Sequence, residues 1–156
     1  AISSLVDQKL LSDKYYSDAK TKAFLRRGYS LNKIRYSLIK KGIDEKYIKA
    51  SISKIKENES DPDFFSALKV CKRRRIGAIR PNANRELFYK KDMGVLARAG
   101  FDYDLSKRVL NLEQEEFQKL IKIIYLISVT PYYDDFAILP KVNKDETMPL
   151  WEIEAV

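Results

Sequence analysis

Three of the five glycines in this chain of 156 residues share one local pattern, which constrains the fold more than any other feature. Each has an apolar residue four positions before it, a large apolar residue directly after it, and then a residue that caps helices well. The three copies are Phe24, Gly28, Tyr29 and Ser30; Leu38, Gly42, Ile43 and Asp44; and Leu96, Gly100, Phe101 and Asp102. Glycine adopts the left-handed conformation that ends a helix at little cost, and Ser or Asp then satisfies the first amides of the next helix. The pattern predicts helical hairpins with tight turns, and hence an all-α fold.

The hairpins fall into larger groups. Residues 13–57 carry three helical patterns, and residues 61–110 carry three more. A three-helix unit of this size is too small to bury its apolar faces alone, so we expect neighbouring units to stack. The sequence therefore predicts tandem three-helix repeats in an elongated, curved array. The predicted divisions are a remnant of a preceding helical repeat at 1–11, repeats at 12–58 and 59–111, and an acidic tail at 112–156.

Two helix starts are predicted from capping residues. Ser12 or Asp13 is expected to cap a new helix after the short helical remnant. Asn84 is expected to cap a helix that turns Leu87 inward and ends at Gly100. Both predictions rest on the preference of short polar side chains for the first position of a helix.

The tail has a different character from the rest of the chain. Its residues 112–128 keep a helical spacing of apolar side chains, although the β-branched run "IIYLISV" leaves a strand open as the alternative. From residue 130 onward, three prolines and scattered apolar residues predict irregular chain.

The charge of the chain is positive and uneven. The formal net charge is +8 and the pI is about 9.4. Residues 1–110 contain 26 basic and 13 acidic residues, whereas residues 111–156 contain 4 and 9. A basic body of this kind suits an anionic partner such as a nucleic acid or a nucleoprotein. No stretch is apolar and long enough to span a bilayer, and we expect no membrane partner.

We predict that three clusters of cations contact the partner. The clusters are Lys72, Arg73, Arg74 and Arg75 with Arg80; Arg26, Arg27, Arg35, Lys40 and Lys41; and Arg98, Lys107 and Arg108. Arginine forks onto a carboxylate or a phosphate, and lysine supplies a point charge. The alternative is that these cations are solvated helix ends, where exposed carbonyls favour positive charge. Tyr36 is expected on an outer helix face, as a residue that stacks on bases or anchors a protein partner.

Catalytic chemistry has little support in the sequence. The chain has no histidine, which excludes histidine-based triads and histidine-ligated metals. Phosphate loops and dinucleotide fingerprints are absent, and the adjacent acids Asp134 and Asp135 lack an obvious third metal ligand. The single cysteine, Cys71, is expected to be a core thiol and fits a reducing, cytoplasmic setting. We therefore predict that the protein is not an enzyme and uses neither cofactor nor metal. We also expect it to be a monomer.

Longer stretches of the chain resemble a known family. The segment "LLSDKYYSDAKTKAFLRRGYSLNKIRYSLIKKGIDEKYI" resembles the middle unit of RecX, the bacterial regulator of the RecA recombinase. The segments "ALKVCKRRRIGAIRP" and "KKDMGVLARAGFDYDLSKRVL" are similar to the last unit, in the form seen in alphaproteobacterial members. The resemblance covers about residues 1–110 and does not extend to the tail.

The resemblance implies a function that composition alone does not give. RecX-like proteins bind along the helical groove of the RecA filament on DNA. They usually restrain strand exchange, ATP hydrolysis and the coprotease activity of RecA, which places them in recombination, DNA repair and the SOS response. The implied partner is thus the RecA filament, with DNA as a further candidate for the basic clusters. The alternative is a basic helical module that binds nucleic acid without RecA.

Overall fold

A computed structural model of the chain describes the backbone of residues 2–134 and the side chains of residues 3–9 and 11–126. Every regular element in these residues is helical, which confirms the predicted all-α class. The helices are α1 (Ile2–Arg26), α2 (Leu31–Lys40), α3 (Glu45–Asn58), α4 (Pro62–Arg74), α5 (Asn82–Arg85), α6 (Tyr89–Arg98), α7 (Tyr103–Leu110) and α8 (Gln114–Asp134), with a 3-10 turn at Gly77–Ile79. Residues 135–156 of the predicted tail, including Asp135, lie outside the described part of the chain.

The three predicted glycine turns are confirmed. Gly28, Gly42 and Gly100 have φ angles of +83°, +78° and +92°. The amide of the apolar residue after each glycine donates back to the last turn of the preceding helix, as the amide of Tyr29 does to the Phe24 carbonyl at 3.0 Å. This bond satisfies a carbonyl that the helix end leaves without a partner. The caps follow as predicted, with the Ser30 hydroxyl accepting from the Lys33 amide at 3.1 Å.

The helices pack in two groups within one compact unit at residues 1–121. In the first group, α1 contacts α2 and α3, and α2 contacts α3. Its core consists of five buried side chains that the helical spacing brings together: Leu25, Ile34, Leu38, Ile48 and Ile55. In the second group, α7 contacts both α4 and α6. The tandem-repeat arrangement, its shape and its boundaries stay predictions.

The predicted helix start at Ser12 or Asp13 is wrong, because α1 runs unbroken from Ile2 to Arg26. A serine or aspartate caps a helix only where the preceding chain leaves the helical conformation. No glycine or proline occurs near these two residues to force that departure. The chain therefore passes through both residues as a helix.

The predicted helix start at Asn84 is also wrong. Asn84 lies inside the short α5, and a new helix begins at Tyr89. Leu87, which was expected to face inward, is 75% exposed. The short α5 is tied to distant residues, since the Arg85 guanidinium donates to the carbonyls of Leu110 and Leu112 at 3.0 and 2.6 Å.

The tail begins with a helix, so the strand alternative is wrong. Helix α8 runs from Gln114 to Asp134 and continues past the predicted end near residue 128. Phe117 and Ile121 are buried, as their helical spacing predicts. Within the described residues, no helix combines the length and the hydropathy that a bilayer span requires.

Candidate partner-binding surfaces

The start of α2 is fixed against the second helix group. The Ser30 hydroxyl donates to the Ala99 carbonyl at 3.1 Å, and the Leu31 amide donates to the Asp63 carboxylate at 2.8 Å. A side chain at Gly100 would overlap the Ser30 hydroxyl. Burial raises the pKa of Asp63, although the hydrogen bond from Leu31 opposes the rise. These contacts hold α2 beside the turn between α6 and α7.

This joint creates a basic groove along α2. The groove has a volume of about 410 Å³, and its lining residues are Asn32, Lys33, Tyr36, Ser37, Lys40, Arg98 and Gly100. We call it the α2 groove. It brings together Lys40 and Arg98, which the sequence had placed in separate clusters. Its three charged side chains are all cations, and the Tyr36 ring among them is 72% exposed.

A second basic surface forms where the C-terminal ends of α1 and α4 meet. We call Arg26, Arg27, Arg73, Arg74 and Arg75 the basic corner. Arg73 Nη1 donates to the Arg27 carbonyl at 2.8 Å, and Lys69 Nζ donates to the Leu25 carbonyl at 3.4 Å. Cations are favoured here because helix C-termini present carbonyls without helical partners. All five arginine side chains of the corner are exposed.

Lys69 lies beneath the corner and is more enclosed than the arginines. Burial lowers the pKa of its ammonium group. Gly28 fits closely over the same part of α4, because a side chain there would lie 3.2 Å from both the Lys69 Cβ and the Ser66 carbonyl. The meeting of α1 and α4 thus depends on the glycine that ends α1.

Arg80 does not extend the first predicted cluster into solvent. Its guanidinium donates to both oxygens of the buried Asp92, with Nε–Oδ2 and Nη2–Oδ1 distances of 2.8 Å each. Asp92 is 2% exposed and also accepts from the Gly77 amide at 3.1 Å. The hydrogen bond to Asp92 raises the pKa of Arg80, and the guanidinium lies 4.5 Å from the centre of the Phe88 ring. Arg80 is therefore held by an internal carboxylate, and its contact with a partner stays a prediction.

Two other predicted cations also pair within the chain. Arg35 donates to the Glu45 carboxylate, with an Nε–Oε1 distance of 3.1 Å, and this hydrogen bond lowers the pKa of Glu45. Arg108 Nη2 pairs with Asp61 Oδ2 at 2.6 Å and lies over the Phe64 ring at 4.2 Å. Both arginines remain exposed, so water and salt screen each pair and its contribution to stability is small.

The remaining predicted cations take no part in either surface as defined. Lys41 follows α2, Lys107 lies on α7, and both are exposed. Lys72 is half-buried in the last turn of α4. The structure thus places the other predicted cations in the groove, in the corner or in internal ion pairs, and leaves these three outside both surfaces.

Three curated proteins with the same description are similar to this chain. "Regulatory protein RecX" of Myxococcus xanthus is 28% identical over 111 residues, which cover 70% of this chain and 58% of the relative. Its counterpart in Clostridium perfringens is 28% identical over 120 residues, or 74% of this chain and 55% of the relative. The protein of the same description in Clostridioides difficile is 32% identical over 80 residues, which cover 51% of this chain and 35% of the relative.

The chain is related to the RecX family. It spans between 35% and 58% of the length of these relatives. No family model matches the chain, and no solved structure does. The relationship confirms the resemblance read from the sequence, whereas membership of an alphaproteobacterial type stays a prediction.

Sequence reasoning missed two features of these sites. Lys33 was not named, although Lys33, Tyr36 and Lys40 follow the spacing that places residues on one helix face. The internal role of Arg80 was also missed. Its signal is Asp92, a carboxylate four residues after Phe88 and four before Leu96, in an otherwise apolar pattern.

The described residues offer no arrangement suited to metal or thiol chemistry. Among them, no group of three or more Cys, Asp or Glu side chains is placed to hold a metal ion. Cys71 is buried, and burial raises the pKa of its thiol to about 12. A thiol with this pKa is not a thiolate at neutral pH.

A second cavity, of about 550 Å³, lies beside Arg85, Tyr89, Asp92 and Glu113.

Proposed function

We propose that this protein is a regulator that binds the RecA filament on DNA and modulates, usually inhibits, its recombinase, ATPase and coprotease activities. The similarity to three proteins described as "Regulatory protein RecX" carries this proposal. A cytoplasmic location and a monomeric state belong to the same proposal. The protein acts by binding, without chemistry of its own.

The basic corner is the surface that we assign to the filament. It collects five exposed arginines at and just beyond the C-terminal ends of α1 and α4. Arginine recognises carboxylates and phosphates in a bidentate manner, so the corner suits either the acidic surface of a protein filament or its DNA. The hydrogen bond between Arg73 and the Arg27 carbonyl holds the two helix ends together, which keeps the charges in one place.

The direct test is ATP hydrolysis by RecA on single-stranded DNA. The purified protein is added at increasing ratios to RecA, and the steady-state rate is measured. We expect the rate to fall as the protein binds the filament. An unchanged rate at several-fold excess over RecA would contradict the proposal for this chain.

A paired variant tests whether the corner is the contact surface. Arg26→Glu with Arg74→Glu reverses two exposed charges that have no hydrogen bond or ion pair among the described residues. We expect this variant to require a much higher concentration to slow ATP hydrolysis. Lys49→Glu with Lys119→Glu makes the same change in net charge at exposed positions elsewhere. If the control pair loses as much effect as the corner pair, net charge alone explains the binding and the corner assignment fails.

The alternative is a basic module that binds nucleic acid and acts without RecA. It predicts binding to DNA or RNA that weakens steeply with salt, together with no effect on RecA beyond competition for DNA. Raising the DNA concentration at fixed RecA distinguishes the two. Competition is relieved by excess DNA, whereas inhibition through the filament persists.

A further inference from the structure

We propose that the α2 groove binds a segment of single-stranded nucleic acid, with Tyr36 stacking on a base and Lys33, Lys40 and Arg98 contacting phosphates. This inference does not rest on the proposed function, because it concerns the protein alone. The basic corner plays no part in it. The groove joins residues that lie far apart in the sequence, through the hydrogen bond between Ser30 and Ala99.

The spacing of the α2 side chains fits a strand that runs along the helix. Lys33, Tyr36 and Lys40 lie three and four residues apart, so they share one face. With a rise of about 1.5 Å per residue, Lys33 and Lys40 are separated by roughly 10 Å along the axis. Tyr36 lies between these two lysines along the helix. Proteins bind single-stranded nucleic acids with aromatic side chains flanked by cations, because each base has a flat face that stacks and each linkage carries a negative charge.

The groove is arranged before any ligand arrives. The Lys33 ammonium lies 4.1 Å from the centre of the Tyr29 ring, and Tyr29 stacks on Phe24 with ring centres 5.0 Å apart. These contacts restrict the lysine side chain, which lowers the entropy lost on binding. Among the described residues, Lys40 and Arg98 have no carboxylate partner, so their charges are not neutralised within that part of the chain.

The chemistry of the lining selects this ligand over two others. A duplex keeps its bases stacked inside, so it offers no face to the exposed Tyr36 ring. An acidic peptide would satisfy the cations but would leave the ring without a planar partner. The volume of about 410 Å³ is within the range of clefts that hold small planar ligands, so a base with its sugar and phosphate fits.

The test is fluorescence anisotropy with a labelled oligothymidylate at low salt, in the absence of RecA. Tyr36→Ala should bind about five-fold to a hundred-fold more weakly, as the loss of one stacked base predicts. Tyr36→Phe keeps the ring and should bind as the wild-type protein does. Lys40→Gln and Arg98→Gln should each lower the slope of log affinity against log salt by about 1. Lys49→Gln, an exposed lysine on α3, is the control and should leave both affinity and slope nearly unchanged.

Each contrary result overturns the inference. These results are no binding of the oligothymidylate, equal affinity of Tyr36→Ala and the wild-type protein, and equal or tighter binding of a duplex of the same length. Equal competition by a polyglutamate of matched charge would assign the groove to an acidic peptide instead. Circular dichroism of each variant shows that the fold is retained. Because RecA is absent, failure here leaves the ATP hydrolysis test untouched, and failure of that test leaves this one untouched.

Discussion

Cations at the joints of this fold bond to main-chain carbonyls or buried carboxylates, whereas cations in the α2 groove surround an exposed tyrosine. Arg80 donates two hydrogen bonds to Asp92, and Lys69 donates to the Leu25 carbonyl. The side chains of Lys40 and Arg98, by contrast, have no hydrogen bond or ion pair with any other described residue. All four belong to the same basic composition, so net charge alone does not separate structural cations from those available to a partner. The two kinds of cation are separated by how deeply their partners are buried and by whether they have a partner within the chain.

The largest loss of stability is expected when Arg80 is replaced. Arg80→Ala removes both hydrogen bonds to a carboxylate that is 2% exposed, and the buried charge is left without its cation. We expect a loss of about 3–5 kcal/mol in the free energy of unfolding. Chemical denaturation measures it, with Arg98→Ala as the control. A loss below about 1 kcal/mol would mean that Arg80 is no more structural than a surface cation.

The second largest loss of stability is expected at Gly100, where α2 meets the turn between α6 and α7. Gly100→Ala combines a φ of +92° with overlap on the Ser30 hydroxyl, whereas Gly42→Ala has a φ of +78° and open space around it. The left-handed conformation costs about 1–2 kcal/mol in both variants, and overpacking adds about 1–3 kcal/mol at Gly100 alone. Thermal or chemical denaturation of the two variants gives the difference directly. Equal losses would show that Ser30 moves aside freely and that the joint is loose.

Acid titration separates two carboxylates of the fold. The hydrogen bond from Ser51 lowers the pKa of Asp18, so its contribution is present at neutral pH and is lost as the pH falls below about 4. Burial raises the pKa of Asp63, so between its unfolded and folded pKa values the native state holds more protons, and stability falls as the pH rises through that window. Asp18→Asn should therefore weaken the acid-induced loss of stability, and Asp63→Asn should strengthen it. Denaturation midpoints across this pH range measure both, and slopes of the same sign would contradict the assignment.

The smallest effect is expected at the groove. Lys40→Ala and Arg98→Ala should change the free energy of unfolding by less than about 0.5 kcal/mol, because neither cation has a partner within the described residues. A larger loss in either variant would move that residue into the structural class. Paired with the anisotropy measurements, this result shows whether the groove can lose its ligand while the fold keeps its stability.

The glycine turns and their caps could be predicted because they depend on a few neighbouring residues. Gly42, for example, needs only the left-handed conformation and the capping aspartate that follows. The predicted helix start at Ser12 or Asp13 was wrong because it also rested on local residues alone. A side chain that can cap a helix does not by itself end the helix before it. The region before Tyr89 differs, because there Arg85 donates to the carbonyls of Leu110 and Leu112, and no local pattern encodes such a distant contact.

The basic clusters show the same limit. The sequence identified the cations, but it could not join Lys40 to Arg98, because the Ser30 hydroxyl that links α2 to the α6–α7 turn bonds 69 residues away. Arg80 was grouped with its sequence neighbours, although its partner is Asp92. Lys33 could have been found, since its spacing from Tyr36 and Lys40 is local. Composition thus predicts an anionic partner, while the surface that meets it depends on tertiary contacts.

The most direct test of the account is sedimentation of the protein with RecA filaments assembled on single-stranded DNA. We expect the wild-type chain and the Tyr36→Ala variant to sediment with the filament, because the basic corner is intact in both. The Arg26→Glu and Arg74→Glu double variant should remain in the supernatant. If the wild-type chain stays in the supernatant, or if the double variant sediments as well as the wild type, the corner is not a filament-binding surface.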